Sequence, residues 1–257
     1  MERILRNDRI LVVIALATLS VLAWFYLVVL TRDMAMGDMS LMGMGAVLAR
    51  WSPATFALML VMWWVMMVGM MVPSAAPMIL LFATVTRKQS GDENPGPRIA
   101  IFAAAYLLIW AGFSLLAALA QWALTEAALL SPMMVGNSEW LIIALLAAAG
   151  AYQLSPLKQA CLGKCRSPLS FLLTRWQPGD LGALKMGLAH GAYCLGCCWL
   201  LMALLFVGGV MNLFWVATIA VLVLAEKVLP RGDLVGRLAG IAMLVLAAYM
   251  VVTNTSP

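Results

Sequence analysis

His190, the single histidine of the chain, is followed by Cys194, Cys197 and Cys198 inside an apolar stretch long enough to span a bilayer. Imidazole with several sulfurs is a donor set that suits Cu(I), with Zn(II) as a second candidate. On a helix, positions three and four apart share a face. His190, Cys194 and Cys197 therefore form one stripe, with Cys198 at its edge and a neighbouring helix free to supply a further ligand. A polar cluster in hydrocarbon is costly, so it is a functional-site hypothesis by default. The same residues carry a second chemistry. Cys194-Leu195-Gly196-Cys197 is a C-x-x-C motif, whose spacing can form a redox-active disulfide. A membrane thiol-disulfide oxidoreductase using Cys194 and Cys197 is the alternative reading. It would need a second cysteine pair on the oxidising side. The remaining pair, Cys161 and Cys165, falls in what reads as a cytoplasmic loop, where thiols stay reduced. That distribution favours ligation over disulfide exchange and makes Cys161 and Cys165 candidate receivers of an ion.

Methionine is the second soft donor. Of the twenty methionines, five crowd the segment M-A-M-G-D-M-S-L-M-G-M-G: Met34, Met36, Met39, Met42 and Met44. A thioether keeps its donor ability where a thiolate would be lost to oxidation, so this outer loop suits copper capture. Met59, Met62, Met66 and Met70 then make one helical stripe. Methionine fills core gaps well, and packing is the plain reading of such a stripe. Met66 and Met70, however, fall near the expected depth of Cys194 and Cys197, and either could complete the site. Together the features suggest a path from the methionine loop, along the stripe, to the His/Cys cluster and on to Cys161 and Cys165.

The elements that must position these residues are transmembrane helices. Hydrophobic residues make up 65% of the 257 and charged residues 11%, a balance that belongs to a polytopic membrane protein. Residues 1–257 read as one all-α integral membrane domain of about seven spans, near 10–30, 55–86, 98–122, 138–155, 183–208, 212–228 and 234–252. Pro73 and Pro77 predict a kink or break in the second. With the N-terminus in the cytoplasm, every lysine and arginine except Arg32 and Arg50 lies inside, which places the C-terminus in the periplasm. The net charge of +5 is thus a topology signal and gives no reason to expect nucleic acid. Gly187 with Gly191, and Gly232, Gly236 and Gly240, mark close helix packing.

No phosphate-binding loop is present, and no Ser/His/Asp or paired-carboxylate constellation stands out for hydrolysis. By these boundaries no charged residue sits in mid-span, which argues against a powered pump.

The segments M-W-W-V-M-M-V-G-M-M-V-P-S-A-A-P-M (62–78) and H-G-A-Y-C-L-G-C-C-W-L-L-M (190–202), with Glu226-Lys227 and Pro230, resemble those of a bacterial family of predicted metal-binding integral membrane proteins, a domain of unknown function. The resemblance runs from the second helix onward. It implies a multi-pass protein of the bacterial inner membrane whose histidine and cysteines bind metal, and it supplies no reaction. The expectation is a soft-metal protein, Cu(I) foremost, for translocation or for delivery to a cuproenzyme or metallochaperone partner.

Overall fold

The computed structural model describes residues 2–35, 51–90, 95–131 and 134–255. Ten helices follow one another among them: α1 (Glu2–Ala35), α2 (Pro53–Ser90), α3 (Gly96–Glu126), α4 (Glu139–Leu154), α5 (Pro156–Arg166), α6 (Pro168–Arg175), α7 (Gly179–Ala203), α8 (Leu205–Gly208), α9 (Leu213–Val228) and α10 (Gly232–Thr255). Among the described residues all regular structure is helical apart from one isolated bridge between Leu130 and Gly136.

Five stretches are long and apolar enough to cross a membrane, lying in α1, α2, α3, α7 continued through α8, and α10. A sixth exists if α4 and α5, bent by 64° at Ser155, form one broken span. The expected span at 212–228 is the helix α9, but its 16 residues fall just under the usual crossing length of about 17–25.

α2 is the central helix. Its span is 61% buried, against 11% for α1 and 17% for α10, which lie at the periphery. The break expected at Pro73 does not occur, for α2 runs unbroken through Pro73 and Pro77. Proline at 73 cannot donate to the carbonyl of Gly69, four residues earlier. Trp24 of α1 satisfies that carbonyl through its indole N–H at 3.2 Å. In an apolar surrounding such replacement is what lets a helix carry internal proline.

α3 and α7 approach so closely that a Cβ added to Gly187 would lie 2.4 Å from the carbonyl oxygen of Phe102. Gly240 of α10 meets α4 in the same manner, 3.0 Å from the carbonyl oxygen of Gly150. These are two of the predicted small-residue ridges. Short polar residues start the short helices: Ser138 accepts from Leu141 N–H, Ser155 from Lys158 N–H and Asn212 from Trp215 N–H. Each relieves an otherwise orphaned donor of a first turn.

Helix ends pair across the bundle. Gly136, ahead of α4, donates to Phe206 of α8, the continuation of α7 (2.8 Å), and Gln121 near the end of α3 reaches Met59 at the start of α2 (3.4 Å). At the other end Arg98 of α3 meets Asp180 of α7 (3.3 Å), and Arg166 of α5 meets Asp233 of α10 (3.2 Å).

Candidate metal site

α7 buries His190, Cys194, Cys197 and Cys198 together in the middle of the bundle. The sulfur of Cys194 is the hub. Lys227 of α9 donates to it at 2.9 Å, and the phenol oxygen of Tyr106 on α3 lies 3.1 Å away. Lys227 also donates to Ser74 Oγ (3.1 Å), and Tyr106 donates to the Met71 carbonyl (3.2 Å), so both partners are anchored on α2. Cys197 and Cys198 donate their thiol protons back to the Cys194 carbonyl, each at 3.0 Å. Cys165 of α5, partly buried, packs against the same core, close enough to interact electrostatically with the thiols of Cys194 and Cys197. Three buried sulfurs of α7 thus lie together, with a fourth from α5 beside them.

His190 stands beside them in an aromatic cage. Its ring lies 5.5 Å from that of Tyr106, 6.1 Å from Phe102 and 5.8 Å from Phe171. It is 3% exposed, yet neither Nδ1 nor Nε2 has a hydrogen-bond partner. A buried polar atom left unpaired costs about 1–3 kcal/mol, so two on one ring ask for an explanation. An imidazole with a free lone pair, next to thiols, fits a soft-metal ligand that awaits its ion. No three His, Cys, Asp or Glu side chains among the described residues already surround a common point as a metal cage. The thiols of Cys197 and Cys198 are turned onto the Cys194 carbonyl instead.

A charged layer lies next to the cluster. Lys158, the first-turn residue of α5, is fully buried and donates to Glu226 of α9 at 2.6 Å, while Gln153 at the end of α4 donates to the other carboxylate oxygen at 2.7 Å. Arg166 at the far end of α5 grips Asp233 and the carbonyls of Leu229 and Pro230. α5 is therefore tied at both ends. Cys161, half-buried on it, packs under the C-x-x-C turn: a Cβ on Gly196 would lie 3.0 Å from its sulfur. Tyr152 donates to the Gly196 carbonyl from the other side.

Two expectations are corrected. Cys161 and Cys165 lie on the helix α5, not in a loop, and Cys165 packs, partly buried, against the core that holds the cluster. The bundle interior does hold charge, since Lys158, Glu226 and Lys227 are all buried. Lysine is tolerated there because each ammonium meets a carboxylate or a thiol. Lys227 reads in the sequence as a topology marker, and Tyr106 and Ser74 as ordinary span residues. Only the fold brings them to Cys194, although a tyrosine in mid-span is a weak polar signal. Met66 and Met70 are buried on α2, and Met70 adjoins the Met71 carbonyl that Tyr106 holds. Met36, Met39, Met42 and Met44 lie outside the described residues. Met34 falls in the last turn of α1, and its side chain is likewise outside them.

Fold and site together define a bundle of helices long and apolar enough to cross a membrane, with a soft-donor cluster at its centre. The chain belongs to the PpoB2 copper chaperone family, whose model matches residues 60–250. No curated protein and no solved structure matches the chain.

Proposed function

We propose that the protein is a multi-pass carrier of Cu(I) in the bacterial inner membrane, which holds the ion at His190, Cys194, Cys197 and Cys198 for delivery to a partner cuproenzyme. The observation that carries the reading is the buried imidazole of His190, unpartnered at both nitrogens, on the helix that also buries the thiols of Cys194, Cys197 and Cys198. Cys165 joins the set from α5, and Cys161 takes the ion outward from there. The buried methionines of α2, Met66 and Met70 among them, lead toward the cluster, and the loop of Met34, Met36, Met39, Met42 and Met44 feeds them. Sulfur-rich coordination favours monovalent copper over zinc. Membership of a copper chaperone family supports delivery over uptake for its own sake.

Seven crossings, N-terminus inside, frame this reading. The pairing of helix ends supports it: α2 starts, α3 ends, α4 starts and α7 ends at one face of the bundle. Disulfide exchange at Cys194 and Cys197 is disfavoured by access. Both thiols are 1% exposed, and exchange requires a partner thiol to reach them.

The test is elemental analysis of detergent-purified protein loaded anaerobically with Cu(I), wild type beside His190→Ala and Cys194→Ser. About one intramembrane copper per chain, lost in both variants, is the expected result. Equal copper in all three would sink the assignment, and a Cys194–Cys197 disulfide with no copper would turn the protein into the redox case.

A further inference from the structure

A second cluster of soft donors lies along α2 from the first. Gln121 of α3 is 1% exposed, and its carboxamide is held rigidly. Trp63 of α2 donates its indole N–H to the amide oxygen at 2.6 Å, which fixes the amide's orientation. The amide nitrogen therefore faces two sulfurs: Met59 Sδ of α2 at 3.4 Å and Met134 Sδ of the segment preceding α4 at 3.2 Å. Thioethers are weak acceptors, so this is a poor resting place for a buried N–H₂ group. The amide oxygen is needed by the buried Trp63 indole, but the amide nitrogen is left with sulfur alone.

The backbone of Met134 adds an independent sign. Its φ is +57°, a left-handed conformation that glycine or asparagine adopts readily and that is strained for other residues. Here a methionine is kept in that conformation, with its carbonyl accepting from Val210 N–H at 3.4 Å. The strain is borne at the residue whose thioether reaches the amide. Three chain segments thus converge on one point, where the neutral N–H₂ group of the amide sits between two thioether sulfurs.

We propose that Met59 and Met134 form a second binding site for a soft monovalent cation, Cu(I) or Ag(I), and that Gln121 holds the two thioethers together until the ion displaces its amide. The twelve residues from Met59 to Met71 set this site about 18 Å from the Cys194 hub along α2, at 1.5 Å per residue. Met62, Met66 and Met70, each 2% exposed or less, occupy the turns between. The thioether site stands on its own geometry and does not require the thiol site to bind.

The experiment uses the full-length protein in detergent, titrated with Ag(I), a redox-inert probe, in a Cys194→Ser/Cys197→Ser background. Met59→Leu and Met134→Leu keep side-chain volume and so the fold. Each should remove one equivalent of bound Ag(I) relative to that background. Gln121→Met adds a third thioether and should tighten the same equivalent at least tenfold, a gain that misfolding would not produce. Undiminished Ag(I) in both leucine variants, or no tightening with Gln121→Met, would overturn the proposal. Failure of the thiol site alone would appear differently, as Cu(I) binding in the wild type insensitive to His190→Ala.

Discussion

At the residue scale the site is governed by what surrounds Cys194. A thiol in an apolar interior is an inert small hydrophobe. Here it touches the ammonium of Lys227 and the phenol of Tyr106, and two further thiols back-bond to its own carbonyl. A cation beside sulfur favours its thiolate, which is the form that binds metal. Removing the ammonium removes a charge-assisted hydrogen bond worth about 1.5–3 kcal/mol. Lys227→Met should therefore weaken Cu(I) binding by roughly tenfold to a hundredfold, with Lys227→Arg retaining more of the affinity, as read by competition against a chromogenic Cu(I) chelator. Unchanged affinity in Lys227→Met would mean that the contact is only packing. The donors themselves were legible in the sequence, because H-x-x-x-C-x-x-C on a helix is a local pattern. Lys227, Tyr106 and Ser74 were not, because each comes from a different helix and nothing local marks the pairing.

At the element scale α5 is the informative piece. By composition it reads as a connecting loop, since it is short, carries Lys158, Lys164 and Arg166, and has low hydropathy next to its neighbours. Burial of Lys158 against Glu226 makes it a helix folded under the cluster, and this is what brings Cys165 to Cys194. The pairing of two charges more than sixty residues apart has no sequence signature, so the misreading had a physical cause. A buried pair that loses one partner leaves the other charge uncompensated, at a cost of about 3–5 kcal/mol. Lys158→Met should lower thermal stability in detergent by that order and loosen α5, so that Cys165 reacts faster with a small maleimide. The double change Lys158→Met with Glu226→Gln should recover most of the stability, since the neutral amide still pairs with Gln153. Equal losses in the single and double variants would show that the pair does not act as a unit.

At the scale of the whole molecule, the long apolar helices were plain from composition and periodicity, and the two short ones decide the topology. α4 and α9 each have 16 residues, about 24 Å of helix against a hydrocarbon thickness of about 30 Å. Both end at one polar layer, where Gln153 of α4 and Lys158 of α5 both donate to Glu226 of α9. Polar ends can stop short of the membrane surface only where protein satisfies them. That shared layer also means that α4 and α9 run in the same direction, while α7, which begins beside the start of α3 and ends beside the start of α4, runs against α4. α10 begins where α9 ends and must return. Under the proposed seven crossings both short helices cross, and the two chain termini then lie on opposite sides of the membrane. An alkaline phosphatase fused after Thr255 should be active in intact bacteria, and a fluorescent protein fused at the same point should be dark. A fluorescent C-terminal fusion would instead make one short helix a re-entrant segment. Were that helix α4, the Cys165 end of the site would no longer be assigned to the cytoplasm by parity; were it α9, that assignment would stand.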